Sequence, residues 1–131
     1  MVKGAAESGR PVPRMVTVVH AAVDRRGRHA YRLAFTGAHF HLAGPHYCVM
    51  LRRAGLRVHH SRPGPGARAL VDSGVFLYGT PGNIAAQMAG YERAGVDEVV
   101  VKVAGVYSEH GRPDAVQDLQ EILAACQEAA N

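Results

Sequence analysis

A nearly unbroken run of apolar residues, Met15 to Val23, limits the folds open to this chain more than any other feature. The run reads MVTVVHAAV and is rich in β-branched residues, which favour extended backbone. A strand that is apolar at consecutive positions has both faces buried, as in a parallel sheet covered by helices. The run therefore predicts a buried strand of an α/β protein.

A second strand is predicted from Val96 to Val103, and a short apolar piece from Val75 to Tyr78 is a possible third. Four helices are predicted around them, over residues 28–42, 45–54, 81–94 and 114–129. Thr80 and Pro81 give the clearest helix start, because threonine suits the N-cap and proline the first helical position. The segments 56–69 and 105–113 read as loops, since they are rich in glycine, proline and charge.

This order of elements predicts parallel pairing, with strands separated by helices. The chain has 131 residues, which is the size of one domain. We expect a flexible lead-in over residues 1–14 and a single unit over residues 15–131. Two long parallel strands cannot cover both of their own faces with so few elements, so the sequence predicts an incomplete sheet.

Compartment signals are few but agree with one another. The first residues, MVKGAAESGR, lack the apolar core of a signal peptide, and no apolar run reaches the roughly eighteen residues that span a bilayer. Cys48 and Cys126 are far apart and lack metal or redox spacing, so we interpret both as small buried apolar residues. We therefore expect a cytoplasmic protein with no membrane partner.

Charge is distributed unevenly along the chain. Residues 1–70 hold twelve Lys or Arg and two acids, whereas residues 71–131 hold three and nine. A basic half can attract phosphate, nucleic acid or an acidic partner, and it can equally pair with the acidic half of the same chain. The clusters Arg25-Arg26-Gly27-Arg28 and Arg52-Arg53 lack interleaved aromatic residues for base stacking. We interpret them as a solvated basic face and do not favour nucleic-acid binding.

Four segments together carry a family resemblance: VTVVHAAVD, PHYCVMLRRAGL, GTPGNIAAQMAGYERAGVDEVVVKV and VQDLQEILAAC. In this order they resemble the closing portion of the luciferase-like monooxygenases, the flavin- or deazaflavin-dependent oxidoreductases. The resemblance spans about residues 14 to 126. It implies a partial TIM-type (β/α)8 barrel made of the last strands and helices, with two long parallel strands and about four helices.

The same resemblance implies hydride transfer or monooxygenation of a small organic substrate in full-length members, with FMN or a deazaflavin coenzyme. A complete barrel needs about 250 residues. The part present here corresponds to the final third, so we expect a member or truncated remnant that is inactive alone. Its expected partners are a second copy or a complementary barrel portion.

Few side chains stand out as chemical candidates. Tyr107 and Ser108 follow the second long strand, on the side where a barrel binds its ligand, and could contact a cofactor; a solvated loop is the interpretation we favour. Asp24 ends the first strand, where we favour a helix cap over catalysis. We interpret His20 as a hydrogen-bonded structural residue and Tyr47 as core. No catalytic residue is identified.

A metal site is a further possibility that the eight histidines raise. His39 and His41 with His46, and the pair His59-His60, supply nitrogen ligands, but no carboxylate or cysteine stands at zinc-site spacing beside them. His39 and His41 also point to different faces of the predicted helix. We predict no metal.

Two functions of other classes stay open beside the oxidoreductase. One is a non-catalytic assembly module, favoured by an open sheet edge and uncovered apolar strand faces. The other is a small basic-surface binder of nucleic acid or an acidic partner.

Overall fold

A computed structural model describes Gly9 and residues 13–130 of the chain. Most of the predicted lead-in, residues 1–8 and 10–12, lies outside the described residues. The described part contains three strands and six helices. They are β1 (Val16–Val23), α1 (Ala30–Leu42), α2 (Pro45–Arg53), α3 (Pro63–Asp72), β2 (Leu77–Gly79), α4 (Pro81–Arg93), β3 (Glu98–Lys102), α5 (Ala104–His110) and α6 (Arg112–Ala130).

The sheet is parallel and has the order β2-β1-β3. The predicted α/β class and the parallel pairing of the two long strands are confirmed. In a barrel each strand lies beside those that precede and follow it, so three consecutive barrel strands would have β2 in the middle. Here β1 is central, as in doubly wound open sheets.

Helices cover both faces of the sheet, and alternate residues of β1 point to opposite faces. Ala22 belongs to a core formed with α1, α3 and α5, on what we call the α1 face. Ala21 and Val23 belong to a second core with Ile84 of α4 and Ile122 of α6, on what we call the α4 face. The sheet is therefore the middle of three layers.

The α1 face is covered only near the carboxyl ends of the strands. Val16 and Val18 lie on this face of β1 and are 51% and 56% exposed. Val100 of β3 is in register with Val18 and is 42% exposed. The expectation of uncovered apolar strand faces is confirmed at the amino-terminal half of the sheet.

Glycine lets two helices on the α1 face come very close. A Cβ on Gly105 would lie 2.3 Å from the carbonyl oxygen of Leu33, and one on Gly37 would lie 3.1 Å from the backbone nitrogen of Gly105. Only residues without a side chain fit such an approach. The contact fixes α5 against the middle of α1.

Two segments predicted as loops are partly helical. Residues 63–72 form α3, because Pro63 occupies a first-turn position where its missing N–H costs nothing, and Ala67 and Leu70 bury one side of the helix. Residues 104–110 form α5, whose Gly105 and Val106 are buried. The expected count of about four helices was therefore too low, since six lie in the described part.

The remaining boundaries agree closely with expectation. Pro45 begins α2 and Pro81 begins α4, as predicted. Within residues 13–130, none of the helices combines the length and the apolar character that crossing a bilayer requires.

Candidate functional site

The carboxyl ends of the three parallel strands meet at one edge of the sheet, where open α/β sheets bind their ligands. We call this edge the carboxyl edge; it is formed by the ends of β1, β2 and β3 at Val23, Gly79 and Lys102. The Asp24 N–H donates to the Gly79 carbonyl oxygen at 2.8 Å and ties the first two ends together.

A buried carboxylate from α6 dominates this edge. Asp118 is completely buried, and its Oδ2 accepts from the Val23 N–H at 2.9 Å and from Arg28 Nη1 at 2.6 Å. Its Oδ1 accepts from Arg25 Nε at 3.0 Å. Two guanidinium groups therefore pair with one buried carboxylate. A carboxylate is buried away from water only when it is paired and hydrogen-bonded in this way.

Arg28 is almost as deeply placed as its partner. Its side chain is 2% exposed, and Nη1 also donates to the Val23 carbonyl oxygen at 2.8 Å. Arg28 Nη2 has no hydrogen-bond partner among the described residues and lies 3.7 Å from Asp114 Oδ2. Arg25 extends the network to Glu121 at 2.6 Å. This network joins the end of β1 to α6 and corrects the prediction of a solvated basic face for Arg25 and Arg28, whereas Arg26 is exposed as predicted.

Tyr78 and Asp24 form the exposed part of the carboxyl edge. The phenol of Tyr78 donates to Asp24 Oδ1 at 3.1 Å. Burial and this hydrogen bond raise the pKa of Tyr78 to about 12, so the phenol is neutral and donates at physiological pH. The prediction that Asp24 caps a helix was wrong, because α1 begins six residues later with His29 at its N-cap.

The start of α4 completes the edge. The Asn83 N–H donates to Thr80 Oγ1 at 3.0 Å, and the Thr80 N–H donates to Asn83 Oδ1 at 3.2 Å. This reciprocal capping box satisfies two N–H groups that a helix start leaves open. The predicted N-cap role of Thr80 is confirmed.

Tyr107 and Ser108 lie on a helix and not in the predicted loop. Both are exposed on α5, and they line an open groove of about 470 Å³ beside β3. The rest of the groove is mainly apolar and includes Val101, Val116 and Leu119. The two residues therefore share a surface, and the charged residues that line it with them are Lys102 and Arg112.

His20 lies on β1 and is partly buried. Its Nδ1 is buried with no hydrogen-bond partner in the described part of the chain, so the expectation of a hydrogen-bonded structural residue was wrong for that atom. Its ring lies edge-on to His41, with centroids 6.1 Å apart, and His41 lies 5.4 Å from the Tyr47 ring. Burial, the Lys102 charge and His41 all lower the pKa of His20. A neutral imidazole is therefore favoured.

The other histidines do not converge. His39 Nδ1 lies 3.2 Å from the Phe35 carbonyl oxygen, while His41 contacts His20, so the two rings diverge as predicted. His59 and His60 stack on each other at the surface. In residues 13–130 there is no group of three or more His, Cys, Asp or Glu side chains able to hold a metal ion.

Both cysteines are free thiols. Cys48 is buried as expected and donates to the Leu42 carbonyl oxygen at 3.0 Å, whereas Cys126 is only partly buried.

The basic half and the acidic half of the chain form ion pairs with each other. Each ion pair of the described residues joins an arginine before residue 70 to an acid after residue 71, including Arg14–Glu98 and Arg32–Glu109. The prediction that the basic half can pair with the acidic half of the same chain is confirmed.

Sequence reasoning missed the most deeply buried charged group. Asp118 lies between Ala115 and Ile122, at spacings of three and four, so it shares the buried face of α6. That position, an acid on a core-facing stripe, was a readable signal. Its partners Arg25 and Arg28 are more than 85 positions away in the sequence, so no local pattern indicated that they contact it.

At the carboxyl edge, the ion pairs of Asp118 with Arg25 and Arg28, which we call the clasp, hold the end of β1 to α6. The hydrogen-bonded pair of Tyr78 and Asp24 lies at the same edge, and the groove beside β3 is a separate apolar surface. No family model, curated protein or solved structure matches this chain.

Proposed function

We propose that this chain is a cytoplasmic, non-catalytic assembly module whose sheet is completed by another polypeptide. The observation that carries the proposal is the patch formed by Val16, Val18 and Val100 on the α1 face, with each side chain about half exposed. Folded monomers seldom leave neighbouring strand residues of this kind open to water, and such patches commonly mark interfaces. The free thiols of Cys48 and Cys126 agree with a reducing compartment.

The chemistry of the carboxyl edge supports a module over an enzyme. Its buried groups, Asp118 and Arg28, bind each other and the backbone of Val23, and Arg28 Nη2 is the one buried side-chain atom of the pair without a hydrogen-bond partner among the described residues. The partly buried phenol of Tyr78 has a pKa of about 12, so it is neutral and does not act as a base at physiological pH.

Solution mass tests the module. We expect the purified chain to associate above the 14.0 kDa of one copy as its concentration rises in sedimentation velocity. The Val16→Thr/Val18→Thr variant keeps β-branched side chains but hydrates the patch, so it should associate more weakly. Val49→Thr, on an exposed valine of α2, is the control. A wild-type chain that remains monomeric at every concentration would contradict the proposal.

A second candidate is the closing wall of a luciferase-like flavin or deazaflavin oxidoreductase. The family resemblance supports it, as does the apolar groove with Tyr107 and Ser108 near the carboxyl end of β3. The position of β1 between β2 and β3 weighs against a simple arc of that barrel.

Coenzyme titration separates the two candidates. FMN and the deazaflavin coenzyme are each titrated into the chain and followed by fluorescence. Micromolar binding that is lost in Tyr107→Ala/Ser108→Ala would support the oxidoreductase wall. Absence of binding by a well-folded, self-associated chain would support the module.

A further inference from the structure

The strand β3 has a free edge. It pairs with β1 on one side, and no other strand of the described residues lies on its other side. Its sequence is Glu-Val-Val-Val-Lys, from Glu98 to Lys102. An unpaired edge of this kind exposes N–H and C=O groups that can accept a further strand.

The charges of β3 are complementary to those of a second, antiparallel β3. With a twofold axis at Val100, Glu98 lies opposite the partner's Lys102, and Lys102 lies opposite the partner's Glu98. The three valines between them then pair only with valines. A parallel copy in register would instead place Glu98 beside the partner's Glu98, and like charges directly opposite each other destabilise a strand pair.

Helix α6 supplies apolar cover for the same edge. Its buried side carries Ala115, Asp118 and Ile122, yet Val116 and Leu123 on another side are 41% and 53% exposed. Val116 lines the groove beside β3, so this side of the helix faces the open edge. The fold of one chain leaves these two residues uncovered.

A twofold axis at Val100 pairs the complementary charges of β3 and also brings the exposed apolar sides of the two α6 helices together. It is perpendicular to the sheet, so the two α6 helices lie on the same side of the joined strands. Val99 lines one groove with Cys126, and Val101 lines another with Leu119. Leu123 lies between those two levels of α6, near the height of the axis, where it can pack on the partner's Leu123.

We propose that a second copy of this chain adds its β3 antiparallel to this β3, about a twofold axis at Val100, forming a continuous six-stranded sheet flanked by paired α6 helices. The inference rests on the proposed assembly function and specifies one contact of it. The partner is chosen by the charge complementarity of Glu98 and Lys102 and by the exposed apolar side of α6.

Charge reversal tests the register. Lys102 forms no ion pair within residues 13–130, so Lys102→Glu alters the dimer contact with little internal cost. It places two acids opposite each other at both ends of the strand pair. We expect the dimer dissociation constant from sedimentation equilibrium to rise on the order of tenfold or more.

The double swap Glu98→Lys/Lys102→Glu is the decisive companion. It restores opposite charges across the twofold axis, although it removes the internal Arg14–Glu98 ion pair. We expect its dimer constant to return to within about threefold of wild type, because exposed ion pairs contribute little to folding. Failure of the swap to restore a dimer lost in Lys102→Glu would overturn the antiparallel register.

Disulfide trapping gives a readout that is independent of charge. Val100→Cys in a Cys126→Ser background should oxidise to a covalent dimer, because residues opposite each other in antiparallel strands lie within disulfide reach. Val49→Cys in the same background is the control, since Val49 is 38% exposed against 42% for Val100 but lies on α2 and outside the proposed interface. Far-ultraviolet circular dichroism verifies the folding of each variant.

The outcomes separate the two proposals. A wild-type chain that stays monomeric overturns both. A wild-type oligomer that ignores Lys102→Glu and gives no Val100 cross-link, but weakens in Val16→Thr/Val18→Thr, overturns the β3 contact and leaves the assembly module standing.

Discussion

Asp118 Oδ2 accepts a hydrogen bond from the backbone N–H of Val23 at 2.9 Å, so a carboxylate of α6 holds the last residue of β1. This single contact crosses 95 positions of sequence and joins the first strand to the last helix. Both residues are buried, and the bond is therefore not replaced by water when it is lost.

Asp118→Ala should destabilise the fold strongly. It leaves the buried guanidinium of Arg28 without its carboxylate, and breaking a buried ion pair in this way costs about 3–5 kcal/mol. Urea unfolding followed by circular dichroism measures the loss. Glu121→Gln is the matched control, because its pair with Arg25 is partly exposed and should contribute only about 0–1 kcal/mol. Equal effects of the two changes would contradict the clasp.

Gly105→Ala should be destabilising because its Cβ would lie 2.3 Å from the Leu33 carbonyl oxygen, and backbone on both sides resists movement. Overpacking of this kind costs about 1–3 kcal/mol. Gly90→Ala is the control, since the only contact of its Cβ is the flexible end of Arg93 at 3.7 Å. In the interior of α4 that change should stabilise by about 0.5–1 kcal/mol. Thermal unfolding of both variants measures these two changes in stability.

Tyr78 should make stability fall in alkaline solution. Its folded-state pKa is raised from 10.0 to about 12, by burial first and then by the hydrogen bond to Asp24. The unfolded chain therefore loses this proton before the folded chain does, and stability is full below pH 10 and declines as pH rises toward about 12. Tyr78→Phe should flatten this decline in urea midpoints. Phenolate absorbance should show Asp24→Asn lowering the pKa of Tyr78, and an unchanged titration would contradict the contact.

The contribution of His20 to stability should be lost in acidic solution. Burial, Lys102 and His41 lower its pKa from 6.5, so the unfolded chain takes up this proton first. Its contribution to stability is full above about pH 6.5 and declines as pH falls below that value. Proton NMR titration should show that Lys102→Gln raises the pKa of His20, because a repelling charge is removed. Lys102→Arg keeps the charge and should leave the titration unchanged.

Elements with a clear local signal in the sequence were predicted correctly. The β-branched run predicted β1 within one residue, and Thr80 with Pro81 predicted the start of α4. Residues 63–69 were wrongly predicted as loop because Pro63, Gly64 and Pro65 are typical of loops, while burial of Ala67 and Leu70 stabilises a helix there.

Long-range relationships were beyond the sequence. The clasp of Arg28 and Asp118 joins residues 90 positions apart, and no local pattern predicts such a pair. The order β2-β1-β3 likewise depends on which strand edge packs best in three dimensions. Tyr107 and Ser108 follow β3 in the chain, but the backbone that carries them is helical and does not form the predicted loop.

The central position of β1 also determines when the sheet can form during synthesis. Val18 pairs with Val100, which a ribosome adds 82 residues later. At about 5–20 residues per second, the first strand waits roughly 4–16 s for that neighbour. During this interval the edge of β1 that faces β3 is unpaired, so the sheet is completed only after residues 98–102 have been made.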